Sequence, residues 1–281
     1  MVDISQLPHL VRLLDDQSPA VRDAVLKACD SFGDSLETEL LRQGLTLSES
    51  QEEPIRHLLD SGRRSQFRQA WSDLENIEDD KKRLEAAMQA IVLLQYGLRV
   101  AGTLPAMLDE LATMYKGSVS AIDALTLSRF LFRVYGMTGA GSSDYLNPLN
   151  SNLVYVVEEK RGLPISLACV FMLVGHRLDL PVEGCNFPGH FLAIAPMKGK
   201  RVLIDCYNRG RRVDEVVLAR INGSVSLSEV LRMECGTNDI LARLLRNLIF
   251  SYKRSGNEDN LPLLSGLLGN IPQESGTLRS L

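Results

Sequence analysis

The segment that most constrains this fold runs from Leu167 to Gly175, nine consecutive apolar residues. A bilayer span needs about 20 such residues, so this segment is too short to cross a membrane. It follows Gly162-Leu-Pro-Ile-Ser-Leu, in which the proline suits the first turn of a helix. A helix that is apolar on nearly every side has to be buried among other elements. We therefore predict a central, buried helix that continues to about Leu178.

The composition of the 281 residues is globular, with 45% apolar and 23% charged residues. These values exclude collagen-like, disordered and coiled-coil proteins. A net charge of −4 gives no electrostatic reason to expect a nucleic-acid partner. The first residues, Met1-Val-Asp-Ile-Ser, lack the basic and apolar segments of a signal peptide. Five scattered cysteines are typical of free thiols in a reducing compartment. We expect a soluble, cytoplasmic protein that is not associated with a membrane.

The hydrophobic periodicity predicts helices first, then a small mixed core, then helices again. The pair of predicted helices within 7–33, LPHLVRLLDDQSPAVRDAVLKACDSFG, resembles a HEAT-type repeat. The tail NLIFSYKRSGNEDNLPLLSGLL is similar to a degenerate tetratricopeptide-type hairpin. Because one repeat unit cannot bury its own apolar face, we expect these flanks to dock on the rest of the chain. We predict an α+β fold that is predominantly helical, with a helical N-terminal region at 1–83, a core at 84–236 and a helical C-terminal region at 237–281.

Within this outline, the hydrophobic periodicity and the positions of glycine and proline predict the individual elements. Helices are predicted at 51–61, 64–75, 79–99, 104–116, 121–135 and 152–160. The run from Gly136 to Asp144 has no regular periodicity and is predicted to be a loop. Short strands, separated by proline and glycine, are predicted at 182–186, 190–195 and 202–207.

One set of residues combines a nucleophile, a base and a carboxylate. Ser166 lies in the first turn of the buried helix, His190 begins a predicted strand, and Asp205 ends the next one. A four-residue turn at 196–199 would place His190 directly opposite Asp205, with about 4.5–5.5 Å between their Cβ atoms. A carboxylate at that distance fixes the tautomer of the imidazole. The three residues are therefore candidates for a catalytic triad.

The residues around this set resemble the transglutaminase-like core of bacterial SirB-type proteins. The matching motifs are Asn150-Ser151-x-Leu153, Arg161-Gly-Leu-Pro-Ile-Ser-Leu167, Leu180-Pro181, Phe187-Pro-Gly-His-Phe191 and Ile204-Asp205. They follow the family's order, and the resemblance covers roughly 84–236. The chain departs from the family at Cys206, where proline is usual, and at Tyr207, where phenylalanine is usual. The resemblance implies a papain- or transglutaminase-like core in which a buried helix packs on a small antiparallel sheet.

The resemblance also implies roles for the candidate residues. The wider superfamily uses a Cys–His–Asp triad, in which His190 and Asp205 match the base and the orienting carboxylate. Ser166 falls where the nucleophilic cysteine would be, and the SirB-type branch commonly carries serine there. Cys169 lies one turn deeper on the same helix face and is an alternative nucleophile, although a buried cysteine is more often inert. No cysteine or histidine spacing is typical of zinc, and we expect neither a metal nor a cofactor.

Two functions remain open from the sequence. The first is a non-catalytic regulatory or interaction protein, built on a core that has lost its thiol and binding an unidentified protein or peptide. Ser166 would then only cap or fill the first turn of its helix. The second is a Ser–His–Asp amide or ester hydrolase or acyltransferase. The basic turn from Arg209 to Arg212 lies just beyond Asp205 and is either solvated or positioned to receive an acidic group of a substrate or partner.

Overall fold

The computed structural model describes residues 3–221, 226–232 and 235–272; the last nine residues of the predicted C-terminal region lie outside this part. The described residues confirm a predominantly helical α+β fold with a buried helix on a small antiparallel sheet. The chain divides into two compact units, Met1–Asp73 with Ala90–Gly102, and Leu74–Gln89 with Thr103–Leu281. Within the described residues, none of the helices has the length and apolar character needed to span a membrane.

The first unit is helical. Its helices are α1 (Leu7–Leu13), α2 (Pro19–Asp30), α3 (Leu36–Arg42), α4 (Glu49–Asp73), the later part of α5 (Asp80–Tyr96) and α6 (Leu98–Ala101). The predicted helix pair within 7–33 corresponds to α1 and α2. Apolar side chains from α1 to α4 form one buried cluster that includes Leu7, Val25, Leu36 and Ile55. This cluster explains why short helices with modest periodicity are stable here, since most helical stability in proteins comes from packing.

The separate helices predicted at 51–61 and 64–75 are wrong, because α4 runs through both without a break. Gly62 lies at the expected break and is buried within the helix. A Cβ atom on Gly62 would lie 3.1 Å from the backbone oxygen of Asp34, in the turn before α3. Gly62 therefore allows the close approach of a neighbouring turn and does not end a helix.

The second unit contains the remaining helices and all described strands. Its helices are the start of α5, α7 (Leu104–Ser118), α8 (Ala124–Arg129, continued by a π-helical turn at Phe130–Val134), α9 (Leu153–Glu159), α10 (Pro164–His176), α11 (Glu215–Ile221), α12 (Leu227–Val230), α13 (Thr237–Ser255) and α14 (Leu261–Asn270). The predicted stripe of Leu241, Leu244, Leu245 and Leu248 is buried on α13. Its spacing of three and four residues is that of one helix face.

The predicted central helix is α10, and every residue from Pro164 to Gly175 is buried. It begins at Pro164, whose missing N–H costs nothing at a helix start. It packs against α7 and α9 and against the strands β3 (Glu183–Cys185) and β4 (Leu192–Met197). A helix enclosed in this way holds its first turn, and Ser166 within it, in a fixed position.

The four-stranded antiparallel sheet has the order β3–β4–β5–β6, with β5 at Lys200–Asp205 and β6 at Arg211–Val213. The predicted turn at 196–199 is wrong, because β4 pairs Met197 with Lys200 and leaves a two-residue turn. Both turn residues, Lys198 and Gly199, have positive φ angles of 47° and 76°. This is the turn geometry that matches the twist of a hairpin. The register differs from the predicted one by two residues, an even number that keeps every side chain on its predicted face.

The run from Gly136 to Asp144, predicted to be a loop, contains a short strand. Strand β1 (Thr138–Gly139) pairs in parallel with β2 (Arg161–Gly162). On its other side, the backbone N–H of Gly139 donates to the carbonyl of Tyr207 at 2.9 Å. The loop is thereby bonded both to β2, which directly precedes α10, and to Tyr207, two residues after Asp205.

Candidate functional site

His190 and Asp205 form a hydrogen-bonded pair at the edge of the sheet. His190 Nε2 lies 2.9 Å from Asp205 Oδ1. The carboxylate is fully buried, whereas 15% of the histidine side chain is exposed. An ionised carboxylate only accepts hydrogen bonds, so Nε2 carries the proton, and in the neutral ring Nδ1 is the free acceptor. His190 and Asp205 are therefore paired by a hydrogen bond, and Nδ1 makes no hydrogen bond to the residues that the structure describes.

Asn208 completes the environment of the carboxylate. Its backbone N–H donates to Asp205 Oδ1 at 3.1 Å, and its side-chain amide donates to Oδ2 at 2.7 Å. Burial raises the pKa of Asp205, but the hydrogen bonds and charge of His190 and the two donors of Asn208 outweigh it, so the pKa lies below its ordinary value. Asp205 is therefore ionised at neutral pH, as an orienting carboxylate has to be.

Ser166 occupies the first turn of α10, where the sequence places it. Its side chain is fully buried. Among the residues that the structure describes, Oγ has no hydrogen-bond partner, and a bond to His190 is therefore not formed. The nucleophile, base and carboxylate thus make one of the two hydrogen bonds that a working triad requires.

A sequence profile of the transglutaminase-like superfamily matches residues 99–246, more than half of the chain. The chain belongs to the transglutaminase-like superfamily. The matched range contains the central helix, the sheet and all three candidate residues. No solved structure matches the chain.

Several known proteins are similar in sequence to parts of this chain. A UPF0162 protein of Xylella fastidiosa (strain 9a5c) is 29% identical over 224 residues, which cover 74% of this chain and 79% of the relative. A UPF0162 protein of Pseudomonas aeruginosa is 34% identical over 121 residues, 40% of this chain and 42% of the relative. F-box only protein 21 of Mus musculus is 27% identical over 139 residues, 43% of this chain and 20% of that protein.

The cysteines closest to the candidate residues in sequence are buried thiols. Cys169, the alternative nucleophile, is fully buried, and burial raises the pKa of its thiol to about 12. Cys206 is also buried, and burial together with the nearby Asp205 carboxylate raises its pKa. A thiol with a raised pKa is almost entirely protonated at neutral pH and is a poor nucleophile.

Two residues to which the sequence analysis assigned no role in the site contact the pair. Asn208 lies three residues after Asp205, a spacing at which aspartate accepts from the backbone, and this spacing was available in the sequence. Tyr207 packs its ring edge-on to His190, with ring centroids 6.0 Å apart, and its hydroxyl donates to the carbonyl of Ala140. No local pattern indicates the second contact, because it joins segments 67 residues apart.

The motif Asn150-Ser151-x-Leu153 links the loop to the central helix. Asn150 donates from its side chain to the carbonyl of Asp144, and its own carbonyl accepts from Leu163, the residue before α10. Asn152 caps α9 by accepting from Val154 and Tyr155. These bonds give the motif a structural role in positioning the start of α10.

Proposed function

We propose that this protein is a non-catalytic regulatory or interaction protein built on a degenerate transglutaminase-like core. The observation that carries the proposal is the state of Ser166, whose hydroxyl is fully buried and has no hydrogen-bond partner among the described residues. A serine hydroxyl is a weak nucleophile until an aligned base removes its proton. A buried hydroxyl that lacks this base is not activated.

The resemblance to SirB-type proteins supports the same conclusion. In the wider superfamily a helix start and a nearby imidazolium activate a thiol by lowering its pKa. Serine gains almost nothing from either, because its hydroxyl is far from ionising. With Ser166 in place of cysteine, the site retains the base and the carboxylate but lacks the thiol on which they would act. The retained pair is then a structural element that orders the hairpin.

The helical regions at 1–83 and 237–281 supply the interaction surfaces in this proposal. The HEAT-like resemblance at 7–33 and the tetratricopeptide-like resemblance of the tail both indicate repeat types that form extended binding surfaces. In this proposal the core at 84–236 is the non-catalytic part of a cytoplasmic protein, and the flanking helices bind the partner.

A second function is favoured by one observation, the 2.9 Å bond between His190 and an ionised Asp205. In a Ser–His–Asp hydrolase or acyltransferase, Ser166 would attack an amide or ester carbonyl as His190 Nδ1 takes its proton. Asp205 would orient the ring, and backbone N–H groups at the start of α10 would stabilise the oxyanion. This function requires Ser166 to become accessible and to move within hydrogen-bond distance of His190.

Labelling with a fluorophosphonate probe tests the proposal directly. We expect no Ser166-dependent labelling of the purified protein between about pH 6 and 9, because the hydroxyl lacks an aligned base. The control variants are Ser166→Ala and Ser151→Ala, since Ser151 is also fully buried and its hydroxyl has no hydrogen-bond partner in the described part of the chain. Labelling that disappears in Ser166→Ala and His190→Ala but persists in Ser151→Ala would establish the hydrolase instead.

A further inference from the structure

The segment that carries His190 is a tight turn. The backbone N–H of His190 donates to the carbonyl of Phe187, three residues earlier, at 3.1 Å. Pro188 and Gly189 lie between them, and Gly189 has a φ angle of 73°. A proline followed by a glycine with positive φ is typical of a type II turn. The position of His190 therefore depends on what holds the carbonyl of Phe187.

The side chain of Arg243, on α13, binds the start of this turn. Its Nη1 donates to the carbonyl of Phe187 at 3.2 Å and also to Oδ1 of Asn186. The same guanidinium lies over the ring of Phe191, 5.5 Å from the ring centroid. Arg243 therefore contacts the chain both before His190 and immediately after it. Contacts on both sides restrict the backbone from which the imidazole projects.

The charge of Arg243 is held by these contacts and not by a salt bridge. Arg243 is half-buried, and burial lowers the pKa of its guanidinium below the ordinary value. Among the described residues, no carboxylate forms an ion pair with it. A partly buried charge costs free energy unless its N–H groups are hydrogen-bonded. The acceptors that the turn supplies, at Asn186 and Phe187, therefore stabilise Arg243, and Arg243 in return fixes the turn.

Helix α13 is itself attached to the core close to Arg243. The backbone N–H of Cys235, just before the helix, donates to the carbonyl of Gly184 in β3 at 3.2 Å. A Cβ atom on Gly184 would lie 3.2 Å from Cδ1 of Ile240, so the glycine allows α13 to approach the strand closely. The helix also packs against the turn at Pro148–Ser151. Arg243 thus reaches the turn of His190 from a helix whose position the core determines.

We propose that Arg243 is a positioning residue that keeps His190 within hydrogen-bond distance of Asp205. It does so by holding the turn at 187–190. Arginine suits this role because one planar guanidinium donates to two acceptors and stacks on an aromatic ring at the same time. In the proposed function the region 237–281 binds a partner, and Arg243 gives this region a second role, in the site itself. Because the bond forms with or without catalysis, fluorophosphonate labelling would overturn the proposed function and leave this proposal intact.

The exchange rate of the Nε2 proton of His190 with water, measured by NMR on the full chain, tests the proposal. The bond to buried Asp205 slows this exchange, and His190→Gln identifies the signal among the four histidines. Arg243→Met keeps a long side chain but removes the N–H donors. We expect it to speed exchange by about tenfold or more, the factor for one hydrogen bond of a charged donor. The matched control, Arg246→Met, removes an exposed arginine from the same helix and should leave the rate unchanged.

A second variant, Asn186→Ala, keeps Arg243 but removes one of its acceptors and should speed exchange by a smaller factor. Three results would overturn the proposal. The first is a native chain in which no Nε2 proton of His190 is observed, and the second is an equal increase in Arg243→Met and Arg246→Met. The third is an unchanged rate in Arg243→Met, even with reduced stability to urea, since the residue would then only stabilise α13. If Arg243→Met does not fold, an unchanged rate in Asn186→Ala has the same meaning.

Discussion

His190 and Asp205 are hydrogen-bonded although the strand register does not place them opposite each other. The register pairs Ala193 with Ile204, and His190 lies three residues before Ala193, on a bend that precedes β4. Its backbone N–H donates to the carbonyl of Phe187, which fixes that bend. The bond therefore ties a loop to the end of a strand, a diagonal contact across the hairpin. Such a bond stabilises the fold whether or not the site is catalytic.

Removing the charge of Asp205 should destabilise the protein. In Asp205→Asn, the buried donors of His190 and Asn208 lose their charged acceptor, so we expect the free energy of unfolding to fall by about 3 kcal/mol. The matched control is Glu183→Gln, which breaks a more exposed ion pair with Arg201 and should cost less than about 1 kcal/mol. Urea unfolding at neutral pH measures both changes. Equal effects of the two variants would contradict a structural role for the buried pair.

The contribution of Asp205 should depend on pH. Because its pKa is lowered in the folded protein, its stabilisation is present above the ordinary value of 3.8 and is lost as the pH falls through the folded value. The difference in unfolding free energy between the native chain and Asp205→Asn should therefore be steady just above that value and should shrink in more acidic solution. Urea unfolding over a series of acidic buffers measures this difference. A gap that widens on acidification would mean that the pKa is raised instead.

The contact between Gly139 and Tyr207 should not tolerate a methyl group. A Cβ atom on Gly139 would lie 2.4 Å from the tyrosine ring, whereas one on Gly141 would meet nothing within 4 Å. We expect Gly139→Ala to lower the free energy of unfolding by about 1–3 kcal/mol through overpacking. Gly141→Ala should change it by less than about 1 kcal/mol, in either direction. If thermal unfolding showed the same stability for both variants, the loop would not be packed on Tyr207.

The cysteines should be almost unreactive in the folded protein. Cys29, Cys169, Cys185 and Cys206 are buried, and only Cys235 is partly exposed. Burial raises the pKa of Cys29 to about 11 and that of Cys185 to about 12, so little thiolate is present at neutral pH. Titration with a chromogenic disulfide should detect at most about one thiol in the native chain and all five after unfolding. Rapid reaction of Cys169 would show that the start of α10 is open.

The parts of the fold that sequence reasoning predicted are those with long or repeated patterns. Helix α10 and the leucine stripe of α13 were predicted because burial on all sides, or on one face, leaves a clear periodicity. Strands β1 and β2 have two residues each and β6 has three, too short for any period. The two-residue turn was missed because Lys198 precedes Gly199, whereas asparagine or aspartate is the usual signal there.

The sequence also predicted part of the candidate site. His190 and Asp205 were placed on one face by parity alone, and the two-residue error in register left that parity unchanged. The contacts of Tyr207 and Asn150 depend on pairings between distant segments, which no local pattern contains. Ser166 makes no hydrogen bond to any described residue, and this depends on side-chain geometry within a packed core, which residue spacing does not determine.

Ser166→Cys gives the most direct test of whether the site is catalytically assembled. A thiol at this position would report on the base, since an aligned His190 would convert it to thiolate near neutral pH. The rate of alkylation by iodoacetamide is measured against pH in three proteins: Ser166→Cys, Ser166→Cys/His190→Ala and the native chain. The alkylation rate of the native chain gives the background from its five cysteines.

If the core is non-catalytic, we expect Ser166→Cys to be alkylated slowly, at a rate that rises with pH as for an ordinary or buried thiol. The rate should be the same in Ser166→Cys/His190→Ala. Alkylation that is already rapid below about pH 7 in Ser166→Cys, and that loses this rapid phase in Ser166→Cys/His190→Ala, would contradict the proposal. That result would show that His190 activates a nucleophile at position 166.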